Sequence, residues 1–268
     1  MPTLSIKGVK IAYEESGKGL PVVFIHGFPL SRRMWTPQIS ALSGKYRVIA
    51  LDLRGFGESD KPSGPYSIKD FADDVSSLML ELNAAPSVVV GHSMGGYIAF
   101  QLIRRYSKQV QSLILTNTRA EADTEEKRRN RLTLMERIRK EGKDRFLEES
   151  AARLLSPQNA EKADLVRQVR SFMEGCNEET LIATLKALAE RPDNTDLLKK
   201  IRVPTLIIAG DQDQIVPVES ALFMARTIPQ AAISLIKGTG HLSNFENPKE
   251  FNNAVDKFLS ILSSLTQE

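Results

Sequence analysis

Short apolar runs alternate with amphipathic stretches along most of the chain. Leu4, Ile6, Val9, Ile11 and Tyr13 alternate with polar residues about a turn at Gly8, which predicts an antiparallel hairpin with one buried face, serving as edge and lid. Val22-Val23-Phe24-Ile25 then runs without a polar interruption between Pro21 and His26-Gly27, as a strand covered on both faces does. Residues 46–53, 87–90, 111–115, 204–209 and 232–236 repeat that signature, each rich in Val, Ile or Leu and bounded by turn residues. Helix-period segments at 31–42, 67–83, 94–106, 218–228 and 247–262 lie between most of them. Strands alternating with helices predict an α/β fold, with a mostly parallel central sheet covered by helices on both faces.

One interval breaks the alternation. Residues 119–193 hold no convincing strand and carry a charged helical pattern, with Leu132, Met135, Ile138, Phe146, Leu154 and Leu155 as its apolar stripe. The expected organisation is therefore a core built from residues 1–118 and 194–268, with 119–193 inserted as a helical cap, or lid. The chain is expected to return to the sheet around Asp193-Asn194-Thr195-Asp196. Lys and Arg in the insertion could attract acidic substrates, but Glu121, Asp123, Glu125 and Glu126 are mixed among them, so a solvated face is the expected reading.

Composition narrows the class. At 268 residues with 41% hydrophobic and 26% charged, the chain has enough apolar side chain for a sizeable core. Lys and Arg exceed Asp and Glu by 36 to 33, a net charge of +3 that gives no concentrated basic stripe, so nucleic acid is not an expected partner. No run approaches the roughly 20 apolar residues that span a bilayer, so no membrane partner is expected. The single Cys176 cannot form an intramolecular disulfide, and Met-Pro-Thr-Leu-Ser-Ile-Lys lacks the pattern of a secretory signal, which favours a cytoplasmic setting.

The chemistry centres on Gly91-His92-Ser93-Met94-Gly95-Gly96, set between an apolar strand and a helical run. Glycines two residues either side of Ser93 allow strand and helix to approach closely, holding the serine on a strained elbow with its hydroxyl exposed. The helix that follows aims free amides and its positive dipole end at any oxyanion beside that serine. No Gly-x-Gly-x-x-Gly or Gly-Lys-Ser/Thr pattern accompanies these glycines, which removes a nucleotide-binding reading.

A serine needs a base, and the chain offers His26, His92 and His241. His241 is the candidate, because Gly238-Thr239-Gly240-His241 follows the last predicted strand, and open parallel sheets gather ligand groups at strand carboxyl ends. His26 and His92 are expected to be structural. Asp211 and Asp213 both follow the strand at 204–209 and could orient the imidazole. Asp213 lies farther out and reaches more easily toward the next loop, while Asp211 suits an Asx-type turn, although spacing alone leaves both open. Ser, Asp, His is the chain order associated with such an elbow. The loop His26-Gly27-Phe28-Pro29 is placed to bring the Phe28 amide opposite that of Met94 as paired oxyanion donors. The histidines show no i, i+4 pair and the cysteine has no partner, so no metal is expected, and this chemistry needs no organic cofactor.

With these motifs in order, the chain resembles the α/β-hydrolase family over nearly its whole length except the lid. The stretches that carry the resemblance are His26 to Pro29, Asp52-Leu53-Arg54-Gly55-Phe56-Gly57-Glu58-Ser59, the serine elbow, residues 210–217, and Gly240-His241-Leu242-Ser243-Asn244-Phe245-Glu246-Asn247-Pro248. The family's acid usually lies four residues before the proline of its loop, which here is Pro217 and points to Asp213. The resemblance also implies a conformational role for residues 54–59. Family members with an aspartate at the elbow are dehalogenases and epoxide hydrolases, and Ser93 sets those aside. What remains resembles small carboxylesterases, enol-lactonases, haloperoxidase-like perhydrolases and carbon-carbon bond hydrolases. The implied activity is cleavage of a small-molecule ester or lactone by Ser93, Asp213 and His241. The alternative from another class is a ligand-binding or signalling protein with little turnover on the same scaffold.

Overall fold

The computed structural model describes residues 2–265. Its strands are β1 (Thr3–Ile6), β2 (Val9–Ser16), β3 (Pro21–Ile25), β4 (Arg47–Leu51), β5 (Ser87–His92), β6 (Val110–Thr116), β7 (Thr205–Gly210) and β8 (Ala231–Ile236). They form one sheet in the order β1-β2-β4-β3-β5-β6-β7-β8. The β1–β2 and β2–β4 pairs are antiparallel and the others parallel, so the opening hairpin is an edge. The hairpin is no lid, since none of its residues lines the cavity described below. The fold is the expected α/β architecture with a mostly parallel central sheet.

Residues without polar interruption occupy the middle of the sheet. Val22 through Ile25, Val88 through Val90 and Leu113 through Leu115 are fully buried, because helices cover both faces and leave no side of these strands to water. β8 differs, with Ile233 at 38% and Leu235 at 41% exposure, since it is the far edge of the sheet.

The helices flanking the sheet are α1 (Thr36–Leu42), α2 (Ile68–Glu81) and α3 (Met94–Tyr106). The helix expected from residue 31 divides into a 3-10 turn at Arg32–Trp35 followed by α1. Pro37 has no amide hydrogen for the Arg33 carbonyl, which instead accepts from the Thr36 amide and, at 2.9 Å, from the Thr36 hydroxyl. α2 starts at a capping box in which Ser67 and Asp70 satisfy each other's amides.

Between β6 and β7 the chain makes a helical excursion through α4 (Glu125–Glu141), α5 (Lys143–Arg153), α6 (Pro157–Ala160), α7 (Ala163–Ser171), α8 (Glu178–Ala189) and α9 (Thr195–Leu198). Its two ends are tied together, the Asn194 amide donating to the Ala120 carbonyl at 2.9 Å. Met135, Ile138, Phe146, Leu154 and Leu155 are buried as expected, but Leu132 is 52% exposed. At about 100° per residue, Leu132 is turned well away from the arc of α4 that carries Arg131, Leu134 and Ile138 inward. After the excursion come α10 (Val218–Thr227), α11 (Ser243–Glu246) and α12 (Pro248–Leu265). Among the described residues no helix is long and apolar enough to cross a membrane.

Candidate active site

Ser93 sits between β5 and α3 with φ 52° and ψ −110°, a left-handed conformation that a residue with a Cβ atom adopts only under constraint. The constraint is visible. Its amide donates to the Thr116 carbonyl at 3.0 Å, while its own carbonyl accepts from the Gly96 amide at 2.9 Å and the Thr118 hydroxyl at 2.8 Å. Close approach explains the glycines: a Cβ on Gly91 would lie 2.4 Å from the Gly95 carbonyl oxygen, and one on Gly95 would lie 2.3 Å from that of Ile25.

The loops after β7 and β8 bring a carboxylate to an imidazole. His241 Nδ1 lies 2.7 Å from Asp213 Oδ2, with both residues buried. Asp213 Oδ2 also accepts from Asn117 Nδ2 at 3.0 Å, and Oδ1 accepts the amides of Ile215 at 2.8 Å and Val216 at 3.0 Å. Asp211 points elsewhere, accepting the Gly238 amide at 2.7 Å and so fastening the turn before His241.

Burial by itself disfavours the charge on Asp213. The His241 charge and the hydrogen bonds from His241, Asn117 and the Val216 amide outweigh it and hold the carboxyl below its ordinary range. A carboxylate whose native pKa is depressed contributes stability above its unfolded pKa of about 3.9, and that contribution is lost as pH falls from there through the native value. In urea titrations, the midpoint of the wild-type protein should therefore approach that of Asp213→Asn as pH drops below about 4. A difference that does not change with pH would mean that this carboxylate is not held charged.

The other two histidines are committed to the scaffold. His92 Nε2 donates to the His241 carbonyl at 2.7 Å, and burial, helped by the neighbouring His241, lowers its pKa to about 3. It is neutral and anchors the His241 loop. His26 Nε2 accepts the Leu53 amide at 3.0 Å while Nδ1 donates to the Gly27 carbonyl at 2.9 Å, and burial lowers its pKa as well. That arrangement clamps the loop carrying Phe28. The same loop is held from outside by Cys176, whose buried thiol donates to the Pro29 carbonyl at 3.6 Å and is pushed up to about 12 by burial.

Residues 52–59 form a packed turn. Arg32 pairs with buried Asp52, Arg54 donates to both oxygens of Asp74 at 2.5 and 2.6 Å, and the Ser59 hydroxyl donates to the Asp52 carbonyl at 2.6 Å. None of these residues lines the cavity.

Ser93, Met94, Phe28 and His241 face a common cavity of about 170 Å³, with Tyr97, Leu134 and Phe146 among its walls. Among the described residues the Phe28 and Met94 amides take no part in the loop hydrogen bonds, whereas the neighbouring Leu30 and Ser93 amides do. An imidazole braced through Nδ1 leaves Nε2 to exchange protons in such a space, beside a hydroxyl and two free amides.

Five further side chains take part that the sequence pattern does not single out. Asn117 bridges Asp213 to the Gly240 carbonyl at 3.1 Å and accepts from the Ser243 hydroxyl at 2.6 Å. It is the first residue beyond β6, so the rule that singles out strand carboxyl ends applies to it too. Glu246 accepts the amides of Gly240 at 2.7 Å and Ser156 at 2.8 Å, stitching the His241 loop to the helical excursion. Arg119, Arg131 and Arg153 all line the cavity, Arg153 while also exposed to solvent.

The family model for the alpha/beta hydrolase fold matches residues 21–248. The chain is 29% identical over 257 residues to 3-oxoadipate enol-lactonase 2 of Acinetobacter baylyi, covering 95% of this chain and 94% of that protein. It is 31% identical over 266 residues to a putative non-heme chloroperoxidase of Synechocystis, covering 94% and 95%. Among solved structures, a thermophilic esterase from Thermogutta terrifontis superposes with a TM-score of 0.91 at 38% identity, covering 97% of each chain. The family model over most of the chain and the relatives that match it nearly end to end make this chain a member of the α/β-hydrolase family.

Proposed function

We propose that this hydrolase cleaves small carboxylic esters through an acyl-serine intermediate. The observation that carries the reading is the 2.7 Å contact of His241 with Asp213, made by an imidazole that shares its cavity with the strained Ser93. In this reading His241 Nε2 takes the Ser93 proton as the hydroxyl oxygen adds to the ester carbonyl. Asp213 holds the imidazole in the tautomer with hydrogen on Nδ1 and stabilises the imidazolium. The Phe28 and Met94 amides receive the oxyanion, each worth about 3 to 4 kcal/mol in the transition state. Collapse of the tetrahedral species breaks the acyl–alkoxy bond, and the departing alcohol takes its proton from His241. Water, deprotonated by the same nitrogen, then releases the acid and restores Ser93.

Residues 119–193 act in this scheme as a cap, because α4, α5 and α8 supply the wall opposite the elbow through Leu134, Phe146 and Leu185. The cavity is smaller than the roughly 300–1,000 Å³ of drug-sized pockets, which favours short acyl groups. Lactones are the second substrate class, favoured by the similarity to an enol-lactonase, since a ring ester passes through the same steps with its alcohol still tethered.

The test is the time course of 4-nitrophenyl acetate hydrolysis, with acid quenching and mass analysis of the Ser93 peptide. Steady release far beyond one equivalent, with acetylated Ser93 in the quenched sample, is the expected result. Release that stops at one equivalent would overturn it in favour of a binding or signalling role on this scaffold.

A further inference from the structure

The charged residues of the helical excursion divide into two populations. Most are solvated partners of one another, such as Arg137 with Glu141 and Arg145 with Glu149. Around Asp123 the arrangement is different. Its fully buried carboxylate meets three guanidiniums, Arg119 at 2.6 Å, Arg131 at 2.5 Å and Arg191 at 2.8 Å. One negative charge cannot balance three positive ones, and in a poorly hydrated region the surplus is costly unless another anion arrives.

The surplus faces the cavity. Arg119 and Arg131 both line it together with Arg153, and no Asp or Glu does. Arg119 lines the cavity with a side chain 91% buried, and its buried Nε has no hydrogen-bond partner. Arg131 uses Nε for Asp123, and Arg153 has no ion-pair partner among the described residues. Arg191 stands behind, occupied by the carbonyls of Leu188 and Glu121 and stacked on the Tyr97 ring at 4.3 Å. Lys127 nearby is held below the ordinary amine range, first by burial and then by the Arg119 charge, with Arg191 and Arg131 adding to it against Asp123.

We infer that Arg119, Arg131 and Arg153 form a carboxylate-recognition subsite, so that the substrate is an ester or lactone carrying a second, anionic carboxylate group. The inference rests on the ester-hydrolase reading for the reacting end of the molecule. The orphan Nε of Arg119 and the unpaired fork of Arg153 supply the directed donors, and planar guanidinium groups match the two oxygens of a carboxylate. Such a group would fix the far end of a short substrate while its ester carbonyl meets Ser93.

The experiment compares monomethyl succinate with its neutral isostere methyl succinamate, followed by proton release in a pH-stat. In the wild-type protein kcat/KM should be about tenfold or more higher for the anion, the scale of a charge-assisted hydrogen bond. That ratio should fall most of the way to one in Arg153→Gln, chiefly through KM, recover in part in Arg153→Lys, and shrink in high salt. Arg153 is exposed, so these variants test the subsite without disturbing the buried cluster. Equal turnover of both esters by the wild type would overturn the inference and leave the ester-hydrolase reading standing. If neither ester is turned over while 4-nitrophenyl acetate is, calorimetry on Ser93→Ala decides the subsite; if 4-nitrophenyl acetate is not turned over either, the ester-hydrolase reading fails and the same calorimetry decides the subsite separately. Succinate binding that is lost with Arg153→Gln in that background supports it, and succinate binding no better than succinamide overturns it.

Discussion

Asp213→Asn is expected to lower kcat for a small ester by about 10⁴-fold, the scale of loss when a triad carboxylate becomes an amide, while Asp211→Asn stays close to wild type. The asymmetry follows from the hydrogen bonds. Asp213 Oδ1 accepts two amides, from Ile215 and Val216, so an asparagine keeps its carbonyl oxygen there. Its NH2 must then take the place of Oδ2, where His241 Nδ1 and Asn117 Nδ2 both arrive as donors. Facing an amide donor, the imidazole must present Nδ1 as an acceptor, which moves its proton to Nε2 and removes the base directed at the cavity. Asp211 makes a turn contact with the Gly238 amide and touches neither ring. The measurement is kcat for both variants beside their urea midpoints. Equal losses from two folded proteins would remove Asp213 from the proposed mechanism.

Much of the scaffold that positions these groups is legible in the sequence because it depends on local signals. Uninterrupted apolar runs such as residues 22–25 mark strands buried on both faces, and the elbow glycines mark a contact that admits no Cβ atom. The helix at Met94–Tyr106 begins and ends where its pattern does. Other features depend on contacts between distant parts of the chain. Whether a charge in the excursion is solvated or faces the cavity is decided by which arc of α4 turns inward, and that arc is set by packing against α8 and α5. Leu132 is expected inside and is outside, while Arg131, about 100° round the helix from it, is drawn in toward Asp123. Asn117 escaped for a related reason: its role exists only because the loops after β7 and β8 close over it. Glu246 is similar, a carboxylate whose acceptor sites are filled by the amide of Gly240, 6 residues before it, and that of Ser156, 90 residues before it.

Ser93→Ala is expected to reduce turnover by about 10⁶-fold, the cost of removing the attacking group from a serine hydrolase, and Ser93→Gly to do the same while making the protein more stable than the alanine variant. The two substitutions remove the hydroxyl alike but differ in the Cβ atom. At φ 52° that atom sits in the left-handed region, where a residue with a side chain stores about 1–3 kcal/mol that glycine does not. Against this, glycine loses about 0.5–1 kcal/mol more backbone entropy on folding. The balance leaves Ser93→Gly ahead by about 1 kcal/mol, read as a rise of about 2–4 °C in Tm over Ser93→Ala. Alanine retains the strain and gains nothing. In the proposed mechanism the elbow trades stability for reach, holding the side chain that would attack the substrate in a backbone conformation its neighbours enforce. If both variants melt together, the hydrogen bonds from Gly96 and Thr118 to the Ser93 carbonyl have relaxed the turn. If the alanine variant keeps its activity, the reacting oxygen does not belong to Ser93.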